Sequence, residues 1–178
     1  WYHENKSLSK KFLTKSDESV KKIYKNFCKE NNLTHIKIKI ASTESIFLNS
    51  ALTSEEVKVP HGSYYEQSMQ TTIVPNRNML FISHAIAYAI SNHIDQVWYG
   101  AHAGDHFIYP DCRPEFLSAM NAVAQTCHTF PISVEAPFLN LTKAEIIKIG
   151  LELGVDYAKT WTCYEGQDVA CGKCGSCN

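Results

Sequence analysis

The stretch Asp95-Gln-Val-Trp-Tyr-Gly100 decides the fold, because this apolar run ends on a glycine and predicts a short buried strand. A second strand is predicted at Ile132-Ser-Val-Glu135, and Arg113-Pro-Glu115 opens a helix between the two, with proline near its first position. The residues expected on the inner face of that helix are Phe116, Met120, Val123 and Cys127. Strands that alternate with helices predict an α/β fold: an open parallel sheet with helices on both faces.

The N-terminal third of the chain adds a helix and a strand. Polar residues 1–15 predict a surface loop, and Thr14-Lys-Ser-Asp17 has the capping-box pattern that starts a helix over 16–31. Strict alternation over residues 35–40 predicts a strand. Residues 42–72 have no clean period, which is typical of a functional loop or lid.

Two further helices are predicted after residue 72. The Ala-rich run Met79 to Ile90 is apolar on nearly all sides and predicts a buried helix, in which His84 is a hydrogen-bonded core histidine. Leu141-Thr-Lys-Ala-Glu145 is a second capping-box start. Its helix carries Ile146, Ile147, Ile149 and Leu151, and Gly154 is expected to end it.

Composition limits the classes of protein. A chain of 178 residues is most simply one domain, 1–178, and a net charge of −1 gives no reason to expect non-specific binding to nucleic acid or membranes. No apolar run is long enough to span a bilayer, and no signal-peptide core is present at the start. Seven cysteines, an odd number with four clustered, favour a reducing compartment, so a cytoplasmic location is expected.

The clustered cysteines predict a metal site. Cys163, Cys171, Cys174 and Cys177 follow the pattern C-x7-C-x2-C-x2-C, in which Gly172 and Gly175 allow tight turns. Four thiolates complete a tetrahedral Zn²⁺ shell and leave no open position, so a closed structural zinc site is expected over 163–177. Two disulfides, a redox-active C-x-x-C pair or an iron–sulfur cluster are the alternatives.

Two polar loops are candidates for ligand binding. In Val74-Pro-Asn-Arg77-Asn78, an arginine and an amide precede a helix and could hold an anion or a planar heterocycle. Alternatively, Arg77 pairs with a carboxylate and Asn78 caps the helix. In the second loop, Gly100 to Arg113, the carboxylates could read the donor edges of a base, the tyrosine could stack on it and the arginine could clamp a carboxylate or phosphate. These residues are Asp105, Asp111, Tyr109 and Arg113.

Other roles remain open for the second loop. His102 and His106 would suit a metal on a helix, but Gly104 between them argues against one. Asp111 could instead cap the helix that follows, and Cys112 is more simply a packed thiol than a nucleophile. The residues contain neither G-x-x-x-x-G-K-[ST] nor G-x-G-x-x-G, and no Ser–His–Asp arrangement is readable.

Four strings together resemble the 7-cyano-7-deazaguanine synthase family. They are Val74-Pro-Asn-Arg-Asn78, Tyr109-Pro-Asp-Cys-Arg-Pro-Glu-Phe116, Thr162-Cys-Tyr164 and Cys171-Gly-Lys-Cys-Gly-Ser-Cys177. The resemblance covers about Ser16 to Asn178. It implies an adenine-nucleotide α-hydrolase-like fold and membership of the PP-loop ATP pyrophosphatases. It also implies an ATP-dependent carbon–nitrogen ligase that converts 7-carboxy-7-deazaguanine and ammonia to the nitrile in queuosine biosynthesis.

The resemblance also assigns residues and partners. Cys163, Cys171, Cys174 and Cys177 look like ligands of one structural Zn²⁺. The positions implied to line the deazaguanine and nucleotide pocket are Arg77, Asn78, Asp105, Tyr109, Asp111 and Arg113, with Lys143 as a further candidate. ATP with Mg²⁺ is the implied co-substrate, and the implied assembly is a homodimer without nucleic acid or membrane. No catalytic residue is assigned.

One motif of the family is missing. The pyrophosphate-binding loop Ser-Gly-Gly-x-Asp-Ser does not occur in these 178 residues, so we expect an incomplete chain that lacks the family's N-terminal strand and PP-loop. The alternatives are a non-catalytic nucleotide- or base-binding relative and a related PP-loop enzyme with another substrate.

Overall fold

The computed structural model describes residues 15–36, 38, 47, 49–54, 56–65, 67–165 and 169–178. The chain divides into two units, one formed by Trp1–Pro75 with Asp156–Asn178 and the other by Asn76–Val155. Two units can belong to one domain, so the single domain stays a prediction.

The unit of Asn76–Val155 is built on two parallel strands. Strand β1 (Gln96–Trp98) pairs with β2 (Ser133–Glu135), and Val97 lies opposite Val134. Helix α3 (Pro114–Ala124) connects them, as a parallel pair requires a crossover. The predicted α/β fold with a parallel sheet and helices is therefore confirmed in outline.

Helix α2 (Arg77–Ser91) precedes β1 and packs on it. Its buried residues repeat at helical spacing along one face: Ile82, Ala85, Ile86 and Ala89. Met79 is exposed, so the expectation of burial on nearly all sides is wrong. The Nδ1 atom of His84 lies 2.7 Å from the carbonyl oxygen of Leu80 in its own helix, which agrees with a hydrogen-bonded histidine.

Burial elsewhere in this unit is also one-sided. Val97 is buried while its neighbour Trp98 is 58% exposed, so β1 buries one face and not both. In α3 the buried residues are Met120 and Ala124. Val123 is 53% exposed, and Cys127 is exposed beyond the end of the helix, so both predictions of an inner-face position are wrong. The buried face of α3 is rotated toward Ala124 relative to the predicted stripe.

The last helix of the unit, α4 (Lys143–Glu152), has the predicted capping box. The Thr142 hydroxyl accepts the Glu145 N–H at 3.3 Å, and a Glu145 carboxylate oxygen accepts the Thr142 N–H at 2.7 Å. Gly154 ends the helix with φ of +75°, and Val155 N–H donates to the Gly150 carbonyl at 2.8 Å.

The other unit contains helix α1 (Lys15–Glu30), which confirms the helix predicted over 16–31. It ends at Asn31 and Asn32 as expected, because Asn32 is left-handed (φ +54°) and Leu33 N–H donates to the Cys28 carbonyl at 2.7 Å. Within 42–72 a 3-10 helix spans Gln67–Thr72. Residues 1–14, with the predicted surface loop and the Thr14 cap, and half of the predicted strand 35–40 lie outside the described residues. No helix in the described ranges is long and apolar enough to cross a membrane.

Candidate functional site

The loop after β1 is bound to the start of α2. Asn78 donates its main-chain N–H to Oδ2 of Asp111 at 3.1 Å, and its side-chain Nδ2 donates to the Asp111 carbonyl at 3.2 Å. Asp111 therefore caps α2, a helix that precedes it in the chain. The predicted alternatives, in which Asp111 caps the following helix or Asn78 caps its own, are wrong: α3 has no side-chain cap, and Asn78 lies inside α2.

Cys112 is part of the same contact. Asn78 Nδ2 lies 3.3 Å from its Sγ, and the thiol is buried. Burial raises the pKa of Cys112 to about 12, and the carboxylates of Asp105 and Asp111 add to the shift. A thiol that stays protonated at neutral pH is a poor nucleophile, so the packed thiol is the interpretation that the site supports.

Tyr99 is a candidate that the sequence did not reveal. It directly follows β1, is 7% exposed, and its hydroxyl has no hydrogen-bond partner within the described part of the chain. Burial raises its pKa, as do the charges of Cys112 and Asp111, which places the hydroxyl near both groups. The only sequence signal was its position at the carboxyl end of a strand, where sites of parallel sheets lie.

Three predicted pocket residues are partly occupied by contacts within this loop. Tyr109 is 5% exposed, so its ring presents little face for stacking in this structure. Arg113 is exposed and donates from Nε to the His106 carbonyl at 2.8 Å, which leaves the rest of its guanidinium group for other contacts. Asp105 Oδ2 lies 3.5 Å from His102 Nε2. Stacking by Tyr109 stays a prediction.

Two basic residues lie around these groups. Arg77, at the first position of α2, is close enough to Cys112 to oppose the rise in its pKa. Burial lowers the pKa of His102, and the charge of Lys143, at the first position of α4, acts in the same direction. The structure thus brings Arg77, Asn78, Asp105 and Asp111 around Cys112, and places Lys143 near His102.

The four clustered cysteines converge in the other unit. The Sγ atoms of Cys163, Cys171, Cys174 and Cys177 all lie within 4.8 Å of one another, and those of Cys174 and Cys177 are 3.5 Å apart. Four sulfurs at ~2.3 Å from one ion would be about 3.8 Å apart, which these distances fit. In a four-iron cluster each thiolate binds a different iron, and the cysteine sulfurs lie farther apart than around a single ion. All seven cysteines are free thiols, which does not support the alternative of two disulfides.

Main-chain N–H groups point at the sulfurs. Cys171 N–H donates to Cys163 Sγ at 3.3 Å, and Cys174 N–H donates to Cys171 Sγ at 3.3 Å. Such donors stabilise thiolates: the Lys173 N–H, foremost among several, lowers the pKa of Cys171 to about 7. Burial raises the pKa of Cys177 to about 12, so a metal would have to displace that proton. The donor set fits a soft divalent ion.

The two glycines of the motif act differently. Gly172 has φ of +69°, a left-handed conformation that side chains rarely adopt. At Gly175 an added Cβ would meet Met69 Sδ at 2.5 Å, so this glycine permits close packing on a fully buried methionine. The tight-turn prediction is thus confirmed for Gly172, while Gly175 serves the packing.

The His61–Gly62 segment supports the cluster from outside. Gly62 N–H donates to the Lys173 carbonyl at 3.1 Å, and Asn178 Nδ2 donates to the Gly62 carbonyl at 2.8 Å. His61 Nε2 lies 3.1 Å from Glu165 Oε1. The cysteine segment is therefore held against residues more than a hundred positions away in the chain.

Comparison with known proteins identifies a matching family and relatives that align with most of the chain. The family model described as "Queuosine biosynthesis protein QueC" matches residues 2–178. A protein of Colwellia psychrerythraea named 7-cyano-7-deazaguanine synthase 2 is 49% identical over 152 residues, which are 85% of this chain and 69% of that protein. The 7-cyano-7-deazaguanine synthase of Marinobacter nauticus is 49% identical over 150 residues, 84% of this chain and 67% of that protein. The one from Marinomonas sp. is 47% identical over 150 residues, covering 84% and 68%.

The family match includes the four cysteines as well as Asn78 and Asp111, which join α2 to the loop after β1. Each of these relatives shares nearly half of the aligned residues with this chain. The chain therefore belongs to the family of the queuosine biosynthesis protein QueC.

Proposed function

We propose that this chain forms 7-cyano-7-deazaguanine from 7-carboxy-7-deazaguanine, ammonia and ATP, a carbon–nitrogen ligase step of queuosine biosynthesis. The observation that carries the proposal is the attachment of the Tyr109–Arg113 loop to α2 through Asn78 and Asp111. It gathers acidic, basic and amide groups at the carboxyl end of β1, where parallel sheets bind ligands. Relatives that align with this region are named for the product.

The reaction needs activation because a carboxylate is a poor electrophile. Transfer of AMP from ATP to the carboxylate releases pyrophosphate and gives a good leaving group, which ammonia displaces to form the amide. A second transfer to the amide oxygen, followed by loss of AMP and a proton, leaves the nitrile. Mg²⁺ accompanies ATP as part of the co-substrate. The protein's part is to position the reactants and stabilise negative charge.

The residues have distinct roles in this proposal. Arg77, Arg113 and Lys143 supply positive charge for the substrate carboxylate and the phosphates. Asp105 accepts hydrogen bonds from the donor edge of the deazaguanine, and Asp111 fixes the loop through Asn78. The buried Tyr99 hydroxyl donates to a polar atom of the bound substrate, because a buried hydroxyl without a partner in the described residues is costly unless a ligand or water satisfies it.

The metal of the cysteine cluster is zinc in this proposal. Cys163, Cys171, Cys174 and Cys177 would hold one ion in a closed four-thiolate shell, whose contribution is folding free energy and not reactivity. The convergence of the four sulfurs and the N–H groups directed at them support it. The odd number of cysteines, four of them clustered, supports the proposed cytoplasmic location. The homodimer implied by the family is tested by light scattering of the purified protein.

The test is turnover by the purified full-length gene product. With 7-carboxy-7-deazaguanine, ammonia and ATP, mass spectrometry should detect the nitrile, and pyrophosphate release should require the acid. Omission of ammonia is the control and should stop nitrile formation. ATP or acid binding without turnover would instead support a non-catalytic relative. Pyrophosphate release with other acids only would support a related enzyme with a different substrate.

A further inference from the structure

The imidazole of His102 has both ring nitrogens engaged within its own loop. Nδ1 accepts a hydrogen bond from the Gly104 main-chain N–H at 3.1 Å, and Nε2 lies 3.5 Å from Oδ2 of Asp105. An imidazole that accepts at Nδ1 carries its proton on Nε2 when neutral, so the group that faces the carboxylate is an N–H donor. Both side chains are only 15% exposed, which shields this contact from water.

We infer that His102 is a positioning residue: it is held by the Gly104 N–H and in turn orients the carboxylate of Asp105. The inference rests on the proposed function, in which Asp105 reads the substrate. Sequence reasoning considered His102 only as a metal ligand paired with His106. An imidazole with Nδ1 accepting from the main chain and Nε2 facing a carboxylate has no lone pair left for a metal or for proton abstraction.

The packing of Gly104 supports this role. A Cβ at residue 104 would lie 3.0 Å from Cε1 and 3.1 Å from Nδ1 of His102, so the ring lies directly against the glycine backbone. A side chain at residue 104 would require the imidazole to shift by a few tenths of an ångström. Gly104 therefore allows the imidazole to lie against its backbone, and its N–H donates to Nδ1.

The main chain of Asp105 is already fixed by its neighbours. Its N–H donates to the His102 carbonyl at 3.0 Å, and its own carbonyl accepts from Tyr109 N–H at 2.9 Å. On the other side of the turn, Ala103 N–H donates to the Leu141 carbonyl at 2.9 Å. The main chain of Asp105 is thus held on both sides, and the contact with His102 restricts the torsions of its side chain.

The charges around His102 favour the neutral ring. Burial lowers its pKa, as do the positive charges of Lys143 and His106, while Asp105 opposes the shift. The neutral imidazole directs its Nε2–H at the Asp105 carboxylate from 3.5 Å, so it acts on Asp105 as a dipole and not as a counter-ion. Protonation of Nδ1 on acidification would remove the acceptor that the Gly104 N–H uses.

Two isosteric variants separate the two contacts. In H102N the amide oxygen replaces Nδ1 and keeps the Gly104 contact, whereas in H102Q the amide nitrogen lies near the position of Nε2 and keeps the donor to Asp105. We expect H102N to raise KM for 7-carboxy-7-deazaguanine about tenfold with kcat little changed, and H102Q to stay within about threefold of wild type. The exposed His128 gives the control variant H128N, and urea unfolding reports whether each variant is folded.

A double-mutant cycle shows whether His102 acts through Asp105. H102N should add less than about twofold to KM in a D105N background, since the residue it orients is already altered. Equal effects of H102N in both backgrounds would overturn the inference. So would a rise in KM for H102Q alone, or an equal rise for both His102 variants, because the loop cap and not the orientation would then matter.

An independent readout keeps the inference separate from the proposed function. Nitrogen-15 NMR of the histidine rings should show His102 as the Nε2–H tautomer, and D105N should shift its Nε2 resonance. Absence of turnover in wild type would refute the proposed function while these spectra still decide the geometry. An Nδ1–H tautomer, or a His102 resonance that D105N leaves in place, would refute the inference itself.

Discussion

Asn78 and Asp111 join the start of α2 to the loop after β1: the Asn78 N–H donates to Asp111 Oδ2 at 3.1 Å, and the Asn78 side chain donates back to the Asp111 carbonyl at 3.2 Å. The two residues are 33 positions apart. The pair satisfies a main-chain donor that the first turn of any helix leaves without an intrahelical partner. It also fixes the loop that carries most of the proposed pocket.

Loss of this cap should lower stability. We expect D111A to reduce the free energy of unfolding by about 1 kcal/mol, as for other helix caps, and D111N to lose less because its amide oxygen can still accept the Asn78 N–H. Urea unfolding followed by circular dichroism measures both. D95A, at an exposed aspartate in the same unit, is the matched control and should change little. If D111A unfolds at the same urea concentration as D95A, the cap contributes nothing.

The buried Cys112 thiol should resist alkylation. Its pKa is raised to about 12, so the reactive thiolate is scarce near pH 8 and appears only as the pH approaches that value. Cys127 is exposed and is the internal reference. Peptide mapping after brief iodoacetamide treatment of the native, metal-loaded protein should find Cys127 modified much faster than Cys112. Equal rates at pH 8 would show that Cys112 is accessible and ionised.

Substitutions of the two glycines in the cysteine motif should destabilise the protein for different reasons. G172A forces a side chain into a left-handed conformation and should cost about 1 kcal/mol, whatever its neighbours. G175A drives a methyl group into Met69 and should be destabilising until that side chain is shortened.

The double variant G175A/M69A tests this difference. It should be less destabilised than the sum of its single changes, whereas G172A and M69A should add. Thermal unfolding of the metal-loaded protein gives the comparison. Additivity in both pairs would mean that the Gly175–Met69 contact does not limit the packing.

Metal binding by the four cysteines should weaken as the pH falls. The ion needs thiolates, and protons compete for the same sulfurs, so affinity is retained at high pH and lost on acidification. Cys171, with its pKa lowered to about 7, should be the easiest ligand to ionise, and Cys177, raised to about 12, the hardest.

Release of zinc to a chromophoric chelator, measured between pH 8 and pH 5, tests whether the affinity falls with the pH. About one zinc per chain is expected at pH 8. C174S should lower both metal content and stability. Release that is independent of pH, or stability that survives in C174S while turnover falls, would contradict a structural thiolate site.

Local patterns were enough to predict several elements. Thr142 and Glu145 form the predicted capping box, Gly154 ends α4, and both strands lie where short apolar runs occur, because each of these features depends on neighbours in the sequence. The convergence of the four cysteines was predictable for the same reason: spacing controls which sulfurs can meet.

The features that were missed depend on tertiary contacts. One prediction was that Asp111 caps the helix that follows it. It instead caps α2, because the loop after β1 lies beside the first turn of that helix. Val123 was expected on the buried face of α3. The helix packs on β2 with Ala124 on its buried face instead, and Val123 is exposed. The tautomer of His102 likewise follows from a contact with Gly104 that composition does not reveal.

The measurement that tests the central claim most directly is the fate of labelled ammonia. The purified full-length gene product is incubated with 7-carboxy-7-deazaguanine, ATP and ¹⁵N-ammonia, and the product is analysed by mass spectrometry. The account predicts 7-cyano-7-deazaguanine with the label in its nitrile nitrogen and pyrophosphate formed alongside. Unchanged acid, or a product without the label, would contradict it.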